Sequence, residues 1–454
     1  MNAQATGTQG TGALDEAQLK KGFRLLAIVT FLAMIVINIP QTISPNFFRD
    51  EIGMDGALNG YLIAIREVPG FLLIFVAALL LRQGLARATA ISLFVAGIGY
   101  CLFAPANSFA ALIIPTLISS IGYHSWLQLQ DALGLSLAKH GEEGTVLGRF
   151  RSIGFAGTIV ALVGTLILFW ALRQVSGDLR AVQAPWLRGL YVATGICAMI
   201  GGLVILGFPV SANDRAMAKA APRITWRKEY NLYYWLSFLD GSRMQIYFAF
   251  APFVLVEEFG VDVLTLTELL TVAALINWVA GSHIGKLVDR YGEKRMLTIG
   301  YTLHLLVFLG FALSRNIWLL YLTYLGYNFL FLFSIGTTTY LRKICRPADL
   351  APSLAMGISL AHLTAIVVPL IGAQVWSRFG YQFPFLFGTV FIFGSLYLTQ
   401  KIDIPRQRIA GAPGTVETLH MAEREMEADS AALPGSQDGQ VVSPAATEAL
   451  SRDN

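Results

Sequence analysis

Long runs of apolar residues alternate with short polar segments along most of the chain. Each run is long enough to cross the roughly 30 Å of hydrocarbon in a bilayer as an α-helix. In lipid, a helix is the conformation in which a single segment satisfies its own backbone groups. The pattern therefore predicts an all-α membrane protein with twelve transmembrane helices. Numbered in chain order as spans one to twelve, they are expected at 23–45, 57–81, 88–105, 108–138, 150–172, 187–209, 229–257, 263–286, 296–313, 316–341, 351–378 and 381–400.

The composition excludes a soluble globular protein. Of the 454 residues, 55% are hydrophobic and only 14% are charged, which is too little charge to cover the surface of a soluble chain of this length. The three cysteines lie in separate segments, and no cluster of cysteine and histidine has the spacing of a metal site. The basic loops lack the interleaved aromatic residues of nucleic-acid binding. We therefore predict no cofactor, no metal centre, no nucleic-acid partner and no enzyme activity.

Lysine and arginine are distributed unequally between the two sides of the membrane, and the richer side is normally cytoplasmic. With the N-terminus inside, the cytoplasmic segments hold 23 of these residues and the outer segments hold 6. Both termini are therefore predicted to be cytoplasmic, in a multi-pass protein of the cell membrane, with a bacterial inner membrane as the expected location. The first apolar run is too long for a cleaved signal, so we expect it to remain as span one.

The longest cytoplasmic loop divides the chain into two sets of six spans. Short motifs recur in both sets in the same order: Asp50-Glu51 after span one corresponds to Glu257-Glu258 after span seven, and Gly122 in span four corresponds to Gly326 in span ten. This order predicts two parallel six-helix pseudo-repeats with a solute site between them near the middle of the membrane. The expected organisation is a cytoplasmic N-terminal segment at 1–22, an N-terminal six-helix half at 23–209, a cytoplasmic linker at 210–228, a C-terminal six-helix half at 229–400 and a disordered cytoplasmic tail at 401–454.

A charged turn between spans eight and nine carries the most specific motif. It reads Gly285-Lys286-Leu287-Val288-Asp289-Arg290-Tyr291-Gly292-Glu293-Lys294-Arg295. The glycines allow two helix ends to approach and the chain to reverse, and the carboxylate can accept hydrogen bonds from the first N–H groups of a neighbouring helix. The segment resembles the signature loop of the major facilitator superfamily of secondary transporters.

The resemblance covers residues 23–400 and implies a monomer that moves a small solute across the bilayer by alternating access. In that family the loop acts as a conformational latch, an interaction made in one end state of transport. The residues expected to form it here are Gly285, Asp289, Arg290 and Gly292. Asp289 would face the cytoplasmic start of span eleven or of span five. The corresponding loop of the first half has Arg82 near the expected aspartate. Spans four and five also lack the arginine and the proline of typical drug/proton antiporters in the family.

Four charged residues lie inside predicted spans, where a charge is costly and normally faces a cavity or a partner. Arg66 and Glu67 lie in span two, and Asp240 and Arg243 lie on one face of span seven. All four are expected near the middle of the membrane. In a structural interpretation, Glu67 and Arg243 pair between the two halves. In a functional interpretation, these charges bind the solute or the coupling ion. The two overlap, because a pair that breaks during transport satisfies both.

Polar residues in two other spans are further candidates for solute or ion binding. They are His124, Gln128 and Asp131 in span four, with Tyr327 and Asn328 in span ten; weaker candidates are Glu268, Asn277 and His362. The three residues of span four have the spacing of one helix face. Asp131 could instead pair with Arg149 or Arg151 near the cytoplasmic end.

These features together predict a secondary active transporter. Protons are the expected coupling ion, because carboxylates and a histidine are available to titrate; the candidate carboxylates are Glu67, Asp240 and Asp131. The buried arginines favour an anionic or zwitterionic solute, and both import and export are compatible with the sequence. The alternatives are a flippase for lipids or lysolipids on the same fold, and a receptor or scaffold without transport. An intramembrane enzyme is disfavoured, because only His124 and Asp131 approach a catalytic pair.

Overall fold

The computed structural model describes residues 15–71, 84–138, 143–209 and 226–407. All regular secondary structure in these ranges is helical. Arg82, most of the predicted linker at 210–228 and most of the predicted tail at 401–454 lie outside the described residues.

Each of the first six spans is a helix. Their bounds are Glu16–Asn46, Gly56–Phe71, Leu85–Cys101, Phe109–Ser136, Glu143–Ser176 and Leu179–Ile205. A short π-helix at Phe47–Glu51 extends span one. Proline lies inside several of these helices, including two in span one.

The last six spans are also helical. Their bounds are Asn231–Glu257, Val263–Tyr291, Glu293–Leu313, Ile317–Leu330 continued as Ile335–Ile344, Pro347–Phe379 and Gln382–Gln400. The two parts of span ten are joined by a single 3-10 turn at Phe331–Ser334. Nine helices of the described ranges are long and apolar enough to cross a membrane. The predicted all-α class is confirmed.

Several helices begin earlier than hydropathy predicts. Span one starts at Glu16 because Asp15 caps it: the Asp15 carboxylate accepts from the backbone N–H of Gln18 at 2.7 Å, and the Gln18 side chain accepts from the Asp15 N–H at 3.1 Å. Span six starts at Leu179, where the Asp178 carboxylate accepts from the N–H of Arg180. Hydropathy marks only the apolar part of a helix, whereas caps fix where the helix starts.

Contacts between the two sets of six spans are concentrated along two helix pairs. Span two packs against span eleven, and span five packs against span eight. Glycine makes the first pair close: a Cβ on Gly60 would lie 3.0 Å from the Ala373 methyl group and from the Phe250 ring. A Cβ on Gly56 would overlap with the ring of Trp376. Small residues let the backbones of two membrane helices approach in this way.

The two sets are also joined at the end of the bundle opposite the chain termini, which we call the closed end. There the N–H of Gly56 donates to Glu257 Oε2 at 2.8 Å, and the amide of Asn46 donates to the carbonyl of Val261 at 3.0 Å. Further bonds across this end join Asn59 to Ala249, Arg173 to Asp262, Arg180 to Gly260 and Gln374 to Tyr61. Side-chain hydrogen bonds and ion pairs therefore bridge both sets of spans at the closed end.

Candidate functional site

Span two carries a buried carboxylate that is paired with its own neighbour. Glu67 is 6% exposed, and its Oε1 accepts from Nε and Nη2 of Arg66 at 3.0 and 2.9 Å. The other oxygen, Oε2, faces span four, where His124 Nε2 lies 3.5 Å away. Gly70 makes room for this ring, because a Cβ there would lie 2.8 Å from His124 Cδ2. One turn of span two thus provides the carboxylate of Glu67, the guanidinium of Arg66 and, at Gly70, the space in which the His124 ring packs.

The imidazole of His124 is oriented by Ser120, one turn earlier in span four. Its Nδ1 lies 3.0 Å from both the carbonyl oxygen and the hydroxyl oxygen of Ser120. The Ser120 hydroxyl donates its hydrogen to the carbonyl of Arg66. Both neighbours of Nδ1 therefore act as acceptors, so Nδ1 carries the hydrogen. In the neutral ring, Nε2 then presents its lone pair to Glu67.

Span eleven supplies a second imidazole from the other set of spans. His362 Nδ1 lies 3.6 Å from Glu67 Oε2, and the rings of His362 and His124 are 5.3 Å apart with an interplanar angle of 69°. His362 is partly exposed, whereas His124 is buried. We call Glu67, His124 and His362 the carboxylate–histidine cluster. Sequence analysis ranked His362 low because its partners lie in other spans, far away in the chain.

Span seven carries a second cluster of charges, which we call the aspartate–arginine cluster. Arg243 is only 2% exposed, and its Nη2 donates to Asp240 Oδ1 at 3.2 Å. Tyr301 and Thr337 donate to Asp240 Oδ2 at 2.9 and 3.2 Å. The guanidinium also lies over the rings of Tyr301 and Tyr327, at 5.4 and 5.8 Å. Sequence reasoning missed Tyr301 and Thr337, which only the packing of spans nine and ten brings to Asp240.

The predicted ion pair between Glu67 and Arg243 is not formed in this conformation. Glu67 pairs with Arg66 and the two histidines, and Arg243 pairs with Asp240. The reason is local: each charge has an opposite charge on its own helix within three residues, so neither needs to reach across the bundle. The contact between the two sets of spans at this carboxylate is made by His362 instead.

The remaining predicted site residues have different surroundings. The ring of Tyr327 stacks on Tyr247 with centroids 3.4 Å apart, and both rings are buried. The guanidinium of Arg243 packs against the Tyr327 ring. Asn328 donates to the carbonyl of Tyr324 at 2.9 Å. Gln128 and Asp131 are exposed, and their side chains make no hydrogen bond or ion pair with any residue that the structure describes. The alternative pairing of Asp131 with an arginine of span five is therefore not formed.

The predicted latch is exposed in this conformation. Gly292 ends span eight with a φ of +79°, which glycine adopts readily. Gly285 and Arg290 lie in the last two turns of span eight. Asp289 is exposed and makes no hydrogen bond or ion pair within the described ranges, so it forms no capping bond with the described residues of span eleven or span five here. The loop is held by its neighbour Glu293, which is 1% exposed and lies 2.6 Å from Lys343 Nζ.

The comparisons with known proteins agree with this architecture. The family model described as Major Facilitator Superfamily matches residues 233–424. The fold is similar to that of the nucleoside transporter NupG, with 17% identity and a TM-score of 0.64 over 85% of this chain and 98% of that chain. It is similar to a bacterial homologue of the human lysosomal transporter Spinster, in an inward-facing and occupied conformation, with 13% identity and a TM-score of 0.64 over 88% and 100%.

A third similar structure is the xylose transporter XylE from E. coli in an inward open conformation, with 15% identity and a TM-score of 0.63 over 89% of this chain and 99% of that chain. No curated protein matches the sequence. At these identities the solved structures establish the fold, which extends over both sets of six spans. The resemblance inferred from the loop at 285–295 and the twelve-helix fold class are both confirmed.

Proposed function

We propose that this chain, a membrane protein with the major facilitator superfamily fold, is a secondary active transporter for a small solute and not an enzyme. The observation that carries the proposal is the carboxylate–histidine cluster, where Glu67 of one set of spans meets His362 of the other. A buried charge inside a membrane is costly, so such groups normally mark a solute or ion pathway. The contact between Glu67 and His362 joins the two sets of spans, so it also changes when the sets move relative to each other.

The bonds across the closed end indicate which contacts change during the proposed transport cycle. We propose that residues 23–209 and 229–400 are two rigid halves joined by the linker at 210–228, and that the halves rock about the central site in a monomer. The excess of Lys and Arg assigns the termini to the cytoplasm. The closed end then faces the outside, so the conformation is inward-facing. The outward-facing state requires the bonds of Gly56, Asn46 and Arg180 across this end to break.

The solute is proposed to be anionic or zwitterionic. Arg66 uses Nε and Nη2 to bind Glu67, and about half of its side chain is exposed. The guanidinium has five N–H donors in a fixed plane, so donors remain for a carboxylate or another anionic group. Glu67 beside it would favour a solute that also carries a positive charge. Nucleosides and sugars are carried by the similar transporters named above, and they provide neutral comparisons for a test.

Protons are proposed as the coupling ion, with Asp240 as the residue that carries them. The groups that face Asp240 are Arg243 on its own span, Tyr301 from span nine, and Thr337 and Tyr327 from span ten; His304 of span nine and Tyr233 of span seven lie nearby. Protonation of Asp240 would leave the buried guanidinium of Arg243 without its carboxylate, which is unfavourable in a medium of low polarity. The cluster must then rearrange, and this links the proton to the conformation.

The test uses the full chain in proteoliposomes with a pH-sensitive dye inside. A nucleoside, a pentose, a dicarboxylate and an amino acid are added in turn, and solute-driven proton flux and accumulation of the radiolabelled compound are measured. We expect Asp240→Asn to reduce uphill accumulation of the solute at least tenfold. Exchange of labelled for unlabelled solute should continue, because solute binding does not need the proton.

The matched control is Glu229→Gln, which neutralises an exposed carboxylate before span seven. It should leave accumulation and exchange unchanged. Uphill accumulation by a well-folded Asp240→Asn variant at the wild-type rate would show that this residue does not carry the coupling proton. A wild-type chain that moves none of these solutes but exchanges fluorescent lipid between leaflets would be a flippase instead.

A further inference from the structure

We propose that the carboxylate–histidine cluster is a binding site for a transition-metal dication of the Zn²⁺ class, held by one carboxylate oxygen and two imidazole nitrogens. One ligand atom from each of Glu67, His124 and His362 lies within 4.8 Å of the other two. The separations to Glu67 Oε2 are 3.5 Å for His124 Nε2 and 3.6 Å for His362 Nδ1. Ligands at the usual zinc distances in a tetrahedron are about 3.4 Å apart. The cluster therefore needs only small shifts to bind an ion.

The orientation of His124 favours a cation between it and Glu67. Because Nδ1 carries the hydrogen and donates it to Ser120, the lone pair of Nε2 is directed at a carboxylate oxygen. Two acceptors that face each other repel unless a cation, either a proton or a metal ion, lies between them. A hydrogen bond from the second imidazole nitrogen to an oxygen is also the usual outer-shell arrangement that fixes a metal-binding histidine. Ser120 provides that bond here.

The donor set determines which ions fit. Neutral imidazoles suit zinc, copper, nickel and cobalt, whereas magnesium and calcium require more oxygen ligands. Glu67 has one oxygen available, because Arg66 occupies Oε1. Two histidines and one glutamate form a known three-ligand zinc set, in which the fourth position takes water or another donor. His362 is partly exposed, so an ion can reach the cluster at this residue.

Binding at this cluster would also affect the movement of the protein. Glu67 and His124 belong to spans two and four, and His362 belongs to span eleven. An ion held by all three joins the two sets of spans at the middle of the bundle. Because a ligand stabilises the state that binds it better, the ion would favour the conformation with the closed end bridged. Binding of the ion at this site is therefore expected to inhibit transport.

The test uses Co²⁺ as a coloured probe that replaces Zn²⁺, with the purified full chain in detergent. We expect one equivalent to bind, with visible d–d absorption typical of four or five ligands and no thiolate charge-transfer band in the near ultraviolet. His362→Gln should weaken binding at least tenfold, and so should Glu67→Gln. The matched control is His283→Gln, which removes an exposed histidine of span eight and should bind Co²⁺ like the wild type.

Three outcomes would overturn the proposal. They are no Co²⁺ binding by the wild type, equal binding by the wild type and by His362→Gln, and a thiolate band that assigns the ion to a cysteine. Melting temperatures without metal separate a folding defect from lost ligation, and saturating Zn²⁺ should raise the melting temperature of the wild type and of His283→Gln but not of His362→Gln. These readouts measure binding alone, so they remain valid whatever solute the protein carries.

Discussion

At the scale of single residues, the charges inside spans two and seven are each paired with a residue on the same helix. Arg66 binds Glu67 next to it in the chain, and Arg243 binds Asp240 one turn earlier. These local pairs reduce the cost of charge inside the membrane. They also leave one oxygen of each carboxylate for contacts to other spans, which are made by the two histidines in one cluster and by Tyr301 and Thr337 in the other.

Gly70 provides a test of the geometry around His124. Alanine at this position places a methyl group against the imidazole, at 2.8 Å from Cδ2, and should displace the ring from Glu67. We expect Gly70→Ala to lower Co²⁺ affinity at least tenfold. Gly164→Ala, in span five, is the control, since a Cβ there meets nothing within 4 Å. Equal affinity in the two variants would show that His124 does not bind the ion.

Tyr301 provides a test of the contacts to Asp240. Tyr301→Phe removes the hydroxyl that donates to Oδ2 at 2.9 Å and keeps the ring beneath Arg243. A hydrogen bond to a charged group contributes about 1.5–3 kcal/mol. Loss of this bond should loosen the hold on the Asp240 carboxylate, and the rate of proton-driven uptake in proteoliposomes should fall by about tenfold, which corresponds to about 1.4 kcal/mol. Tyr397→Phe, at an exposed ring in span twelve, should leave the rate unchanged; a wild-type rate in Tyr301→Phe would rule out coupling through this contact of Asp240.

The sequence identifies the charged residues inside the spans, but it does not identify their partners. A charged residue inside an apolar span is recognisable from the sequence alone, so Glu67, Asp240 and Arg243 are identified without the structure. The partners of Glu67 depend on how spans four and eleven pack against span two, which a single sequence does not contain. The expected pair between Glu67 and Arg243 is therefore absent from this conformation, and it stays a prediction for the other end state. His362 could have been ranked higher only by noting that a histidine is rare inside a membrane span.

At the scale of secondary-structure elements, the loop between spans eight and nine combines two roles. Glu293 is buried and joins the start of span nine to Lys343 at the end of span ten. Lys294 donates to the carbonyl of Gln400 at the end of span twelve at 2.7 Å. These contacts hold three helix ends together. Asp289, one turn earlier, remains exposed and is available to a partner in another conformation.

Glu293→Gln should therefore affect stability, whereas Asp289→Asn should affect turnover. Loss of the Glu293 carboxylate weakens a buried ion pair and should lower the stability of the protein by roughly 1–3 kcal/mol, measured as a lower melting temperature. Asp289→Asn removes an exposed charge and should leave the melting temperature within about 1 °C of the wild type, while it slows turnover if Asp289 is the latch. Wild-type turnover in a well-expressed Asp289→Asn variant would remove the latch from the mechanism.

At the scale of the whole molecule, alternating access requires two halves that move relative to each other. The bonds across the closed end define one end state. Their breakage, together with separation of span two from span eleven, would define the other. Glycines at this contact let the helices approach closely, and Gly56 lies directly against the ring of Trp376. Alternating access therefore predicts that the distance across the closed end changes between the two end states. This change can be measured without knowing the solute.

The most direct test measures distances across the closed end by double electron–electron resonance in nanodiscs. Nitroxide labels are placed at Val175 and Arg378, both exposed, after Cys101, Cys197 and Cys345 are replaced by alanine. We expect a short distance between the two labels as the main population, and a longer one that grows when Gly56→Ala disturbs the contact with Trp376. Gly189→Ala, where a Cβ meets nothing within 4 Å, is the control and should leave both populations unchanged. A single distance that is the same in the wild type, in Gly56→Ala and at every pH would contradict alternating access in this protein.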